Sequence, residues 1–203
     1  MITRYNLKDE KYIKEFIFYN ASNISKEMTY NALKNVIGVK NVSTITSYAK
    51  YVENVYLIFF LPQYHRSLKK QLLAPKKVYI IDNALAYQIG FRCDDEKTRM
   101  LENLVFIELK RRGHEIYYYK EKGECDFIIK TGNQITQAIQ VCFNMDAAST
   151  RTREYKGLYE AMHDHGLDQG LILTLDEERE EIIEHSKIKI LPIWKWLLSY
   201  LRF

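Results

Sequence analysis

The stretch Glu124–Asn144, ECDFIIKTGNQITQAIQVCFN, constrains this chain more than any other. It reads as two strands joined by a short polar turn. Side chains on a strand alternate between faces, so Asp126, Ile128 and Lys130 share one side of the first strand. On the second strand Ile139, Val141 and Phe143 form an apolar face, while Ala138, Gln140, Cys142 and Asn144 point the other way. Asp126, close to the start, is a buried-looking acid, and it makes this strand pair the first place to look for chemistry.

A chain of 203 residues is long enough for one large domain or two small ones, each with its own core. Its 47% hydrophobic and 28% charged residues are ordinary for a globular protein. The net charge of +4 is unevenly spread. Residues 1–90 hold 13 Lys and Arg against 6 Asp and Glu, whereas residues 91–203 hold 17 against 20. A polyanion would therefore dock mainly on the first half, although excess lysine can equally serve solubility. Cys93, Cys125 and Cys142 are far apart, odd in number and in no CxxC pattern, which favours free thiols in a reducing compartment. The longest apolar run, Val55–Leu61, is far below the roughly 20 residues that span a bilayer. No signal-peptide pattern opens the chain, and a cytoplasmic location without membrane partners is expected.

In the first half, Tyr12, Ile13, Phe16, Ile17 and Tyr19 recur at helical spacing within a helix expected from Leu7 to about Ser22. A second helix is predicted over Tyr30–Val36, capped by Thr29 and stopped by Gly38. Ser43 or Thr44 should cap a third, running to about Asn54 with Ile45, Tyr48, Ala49 and Val52 inward. Thr46, Ser47, Lys50 and Tyr51 would face outward. Helix, glycine turn and helix make a helix-turn-helix. Two strand candidates follow, Val55–Leu61 and Lys77–Ile81, and the loop between them carries Arg66, Lys69, Lys70 and Lys76 with no acid. Two strands and a basic loop after a helix-turn-helix make a winged helix over residues 1–92. Lys50, Arg66, Lys69, Lys70 and Lys76 are its candidate nucleic-acid contacts, giving salt-dependent and sequence-blind affinity. A solvated hairpin tip is the plainer reading of the same cations. Asp82–Gly90 reads as a connecting helix, and Arg92–Lys97 as the domain boundary.

The second half, residues 93–203, opens with a helix over Thr98–Arg112. Glu102, Val105, Phe106 and Leu109 share one stripe, and an acid in such a stripe is expensive unless paired, hydrogen-bonded or metal-bound. Glu108 should instead pair at the surface with Arg111 and Arg112, three and four residues on. Strands are predicted over Glu115–Lys120, Cys125–Lys130 and Ile135–Asn144, then a helix over Ser149–His165. A strand over Gly170–Asp176, a solvated acidic turn, a strand over Lys187–Ile193 and a terminal helix anchored by Trp194 and Trp196 complete the chain. His163 and His165, two apart on a helix, make poor metal partners.

This αβββαβ order, with an acid on the helix and another opening the second strand, resembles the PD-(D/E)XK nuclease superfamily. The phrases KKVYIID, LENLVFIELKRRG, ECDFIIK, IQVCFN and LPIWKWLL resemble, over nearly the whole chain, one domain family found as the C-terminal part of many archaeal and bacterial AAA+-type ATPases. The resemblance implies an α/β (α+β) fold class, with a winged helix-turn-helix followed by a restriction-endonuclease-like domain. It also implies an ATPase partner, in the same protein or as a separate chain; no GxxxxGK[ST] phosphate loop occurs here. The nucleases hold Mg²⁺ or Mn²⁺ with a helix Glu, a strand Asp and an acid-x-Lys. Carried over residue by residue, these positions fall on Glu102, Asp126 and Gln140-Val141-Cys142. Gln140 adds no charge and Cys142 is no ammonium, so the resemblance implies a degenerate catalytic site. A lysine or arginine displaced to Lys130, Arg153 or Lys156 could substitute, and Glu102 and Asp126 could each be fold-maintaining polar groups instead. Three functions stand: a DNA-associated non-cleaving module, a metal-dependent nuclease using Glu102, Asp126 and Gln140, and a protein-interaction domain.

Overall fold

The computed structural model describes residues 10–90, 96–183 and 186–199. It is a mixed α/β structure whose contacts divide into two units, Met1–Asn103 and Leu104–Phe203. The Cys93 thiol and most of the polar boundary segment lie outside the described residues.

The first unit runs α1 (Glu10–Ala21), β1 (Glu27–Met28), α2 (Tyr30–Ile37), α3 (Val42–Asn54), β2 (Ile58–Pro62), α4 (Leu68–Leu73), β3 (Lys76–Ile80) and α5 (Asn83–Ile89). The part of α1 expected before Glu10 lies outside the described residues. Thr29 caps α2 by accepting the Ala32 N–H at 3.1 Å. Gly38, at φ 76°, takes the left-handed turn that ends it. The third helix starts at Val42, with Asn41 rather than Ser43 or Thr44 in the capping position. Its inward face is the expected one: Ile45, Tyr48, Ala49 and Val52 are buried. They join Ile13, Phe16, Leu33, Ile58, Val78 and Ile80 in one core.

Among the described residues of this unit, three strands form a sheet in the order β1-β3-β2, antiparallel throughout. The basic segment between β2 and β3 is not a plain loop, because residues 68–73 form the short helix α4. Its sequence, LKKQLL, contains neither glycine nor a β-branched residue, and Ala74-Pro75 closes it. None of its side chains is buried.

Helix α6 (Glu96–Arg111) contains the division between the two units, which falls between Asn103 and Leu104. The second unit continues with β4 (Glu115–Lys120), β5 (Glu124–Thr131), β6 (Gln134–Val141), α7 (Ala148–His165), β7 (Gln169–Thr174), β8 (Arg179–Ile183), β9 (Ser186–Pro192) and α8 (Ile193–Ser199). The six strands order as β4-β5-β6-β7-β9-β8. The first three form an antiparallel meander, α7 crosses from β6 to its parallel neighbour β7, and β9 adds a further parallel partner. Residues 138–141 of β6 are all buried, so both faces of this strand are covered rather than one.

Two expectations are corrected here. Part of the acidic run read as a solvated turn is β8, antiparallel to β9. Cations offset its charge: Lys187 lies 2.8 Å from Glu180, Arg179 lies 2.6 Å from Glu181, and Lys195 holds Glu178. Glu108 does bond Arg111 and Arg112, each at 2.7 Å, but it is buried rather than at the surface. Arg112 then stacks 4.1 Å from the Trp196 ring and donates to the Trp196 carbonyl at 3.1 Å, which anchors α8. Trp194 stays half exposed.

Helix α7 lies against β5, β6 and β7 through Glu154, Gly157, Leu158, Ala161 and Met162, at i, i+3, i+4, i+7 and i+8. A Cβ on Gly157 would stand 1.9 Å from the Glu124 carbonyl oxygen, so only glycine permits this approach. Glu160, one turn on, accepts the backbone N–H groups of Lys122 and Gly123.

Candidate functional site

Register builds the site. Phe127 faces Ile139 and Ile128 faces Ala138, so one step further Asp126 comes opposite Gln140. The Asp126 N–H donates to Gln140 Oε1 at 3.1 Å, and Asp126 Oδ2 accepts the Val141 N–H at 3.0 Å. With its oxygen engaged there, the Gln140 amide turns its Nε2 to Glu154 on α7. Arg153 closes the row, donating from Nε at 3.0 Å and Nη2 at 2.6 Å to Glu154 Oε1. Asp126, Gln140 and Glu154 are each 5% exposed, whereas the Arg153 side chain is 74% exposed. The cluster is thus a buried polar row with a cationic lid.

Burial raises the Glu154 pKa above the ordinary carboxylate value, and the nearby Asp126 charge adds to it; Arg153 and Gln140 oppose the rise. Hydrogen bonding to Glu154 in turn secures the charge on Arg153. Cys142 donates its thiol to the Asn144 carbonyl at 2.7 Å, and burial pushes its pKa up to about 11. It is a neutral thiol near neutral pH, unsuited to nucleophilic work.

The sequence reading missed Glu154. Its signal was present: an acid inside the stripe Leu158, Ala161, Met162, the same argument that singled out Glu102. Among the displaced cations considered, Arg153 lies on the cluster, Lys130 bonds Glu115 at 2.9 Å, and Lys156 is exposed.

Residues 97–196 match the domain of unknown function DUF4143. The DUF4143 match takes in nearly all of α6 and the whole cluster. Residues 2–95 match a second family model, the domain of unknown function DUF8612. An uncharacterized protein of Methanocaldococcus jannaschii is 34% identical over 207 residues, covering 96% of this chain and 45% of that protein. One of Haemophilus influenzae is 29% identical over 202 residues, covering 97% and 48%. The chain therefore spans about half the length of the curated relatives it matches. Among solved structures, a chain from the Thermococcus gammatolerans assembly of McrB AAA+ hexamers with bound McrC aligns at TM-score 0.38 and 11% identity, over 92% of this chain and 47% of that one.

Glu102, at the DUF4143 boundary, belongs to the first unit. Its Oε1 accepts from Lys77 Nζ at 3.1 Å and from the Tyr79 hydroxyl at 2.6 Å, all three side chains being buried. Its neighbour Asn103 bonds both the N–H and the carbonyl of Ile80 at 2.9 Å. These contacts fix the Glu102–Asn103 part of α6, which lies in the first unit, to β3. The structure thus brings Asp126, Gln140 and Cys142 into one neighbourhood and binds Glu102 to Lys77 and Tyr79.

The resemblance implied Mg²⁺ or Mn²⁺, and the donor set around Asp126 does not fit such an ion. Hard divalent cations take several oxygen ligands. Here the Gln140 oxygen accepts a backbone N–H, Asp126 accepts another, and Glu154 is drawn toward its neutral form beside a guanidinium. Among the described residues, no group of three His, Cys, Asp or Glu gathers in a metal-holding arrangement.

Of the candidate nucleic-acid contacts, Lys50, Arg66, Lys69 and Lys70 are exposed. Lys76 differs. It lies in β3, donates to the carbonyls of Leu72 and Ala74 at 3.3 and 3.4 Å, and stands 5.3 Å over the Tyr30 ring. Burial lowers its pKa. Among the described residues, no helix is long and apolar enough to cross a membrane.

Proposed function

We propose that the chain is a DNA-associated module that does not cleave, with a winged-helix first unit on the DNA backbone and a nuclease-like second unit whose active site has degenerated. The observation that carries this reading is the Asp126–Gln140–Glu154–Arg153 row, in which Asp126 and Gln140 oxygens accept backbone N–H groups and Glu154 accepts from Gln140 and Arg153. The helix and strand order α1-β1-α2-α3-β2-α4-β3, with the sheet order β1-β3-β2, supports the winged helix. Exposed Lys50, Arg66, Lys69 and Lys70 supply the phosphate contacts; Lys76 shapes the connection instead. The chain works as the C-terminal portion or partner of an AAA+-type ATPase, a reading supported by the family resemblance of its sequence and by relatives of about twice its length.

DNA affinity measured across a salt series tests this. Binding should weaken steeply with salt, and Lys69→Ala with Lys70→Ala should reduce the slope of log K against log[salt] by about two. Salt-insensitive binding, or none, removes the reading and favours a protein-interaction domain. Incubation of DNA and RNA with Mn²⁺ is expected to give no cleavage. Cleavage that vanishes in Asp126→Ala would restore the nuclease reading with Glu102, Asp126 and Gln140.

A further inference from the structure

Helix α4 combines two properties that phosphate contact alone does not explain. Leu68, Leu72 and Leu73 are 67%, 66% and 74% exposed, on a helix with no buried residue. Beside them stand exposed Arg66, Lys69 and Lys70, and no acid occurs between Pro62 and Lys77. The element is held at its base. Pro62 pairs with Lys76 and Leu61 with Lys77, while Lys76 Nζ bonds two carbonyls at the end of α4. Leucines presented to water on a fixed support carry a standing hydration cost that a partner surface can relieve.

We propose that α4 is an apolar wedge for duplex DNA, with its cations on phosphates and its leucines entering a deformable base step. This rests on the DNA-binding reading above and adds to it the form of DNA preferred. A phosphate backbone complements Arg66, Lys69 and Lys70 but offers the leucines nothing. A partly unstacked step offers an apolar slot flanked by phosphates, the complement of both at once. Proteins that kink DNA use this combination of cations and apolar wedges, and pyrimidine–purine steps open most readily. The wedge therefore favours duplexes with a TA step or a mismatch over stiff A-tracts.

The test uses the full chain and short duplexes carrying 2-aminopurine at a TA step, at a mismatch or within an A-tract. Wild type should give a several-fold fluorescence rise at the TA step and the mismatch, and little in the A-tract. Leu72→Ser with Leu73→Ser alters only exposed positions, so folding is retained and checked by circular dichroism. That variant should keep the salt slope of DNA binding but lose the fluorescence rise and the preference for deformable duplexes. An equal rise in the variant overturns the wedge while leaving DNA binding intact. No DNA binding by wild type overturns both. Binding to phosphatidylglycerol vesicles without binding to DNA assigns α4 to a lipid surface and overturns the wedge.

Discussion

Replacing Glu102 by alanine removes a carboxylate 3.1 Å from the ammonium of Lys77, which is 2% exposed. Removing one partner of a buried ion pair is among the more damaging substitutions, so a loss of about 3–5 kcal/mol is expected in urea unfolding. Glu154 gives a different signature because its folded pKa is raised. The native state then holds the proton more tightly than the unfolded chain. That contribution is complete below the ordinary value of 4.5 and is lost as pH rises through the folded pKa. Glu154→Gln should flatten the decline of unfolding midpoint with rising pH above that value, and an unchanged pH profile would contradict the assignment. Asp126 and Gln140 were legible because period-two alternation picks out strand positions without knowledge of neighbours. Glu154 was hard to read because its stripe also contains Gly157, so the apolar signal there is weak. Lys77 was hidden for another reason: its partner lies 25 residues away, and only tertiary structure joins them.

At the scale of elements, the approach of α7 to β5 depends on one missing side chain. In Gly157→Ala the new methyl meets the Glu124 carbonyl, so the helix must withdraw and its contacts with the sheet loosen. A loss of about 3 kcal/mol is expected, at the upper end for overpacking, and thermal unfolding measures it. Long periodic elements were readable from sequence; the helices and strands around the cluster lie within a few residues of their expected bounds. Short ones were not. Strand β1 has two residues, too few for any period to show. Strand β8, REEII, reads as a charged turn until Arg179 and Lys187 are seen to offset its acids. Helix α4 was masked by its cations, which drew attention to charge rather than to helix-forming composition.

For the whole molecule, the side chains that complete the first unit come from residues beyond the family match that covers it. That match ends at residue 95, and the next begins at 97. Glu102 and Asn103, on α6, supply the carboxylate for Lys77 and the amide for Ile80. A fragment of residues 1–95 should therefore be poorly soluble and lack cooperative unfolding, whereas one extended through Arg111 should recover both; light scattering and calorimetry distinguish them. The segment passed on as a unit of sequence and the segment that folds do not coincide. Recombination at the junction of the two matches would strand a buried cation in one descendant and leave the other carrying its counter-ion on an unsupported turn of helix. A recombinant without an acid and an amide at these places is expected to lose stability, which favours the two segments travelling together.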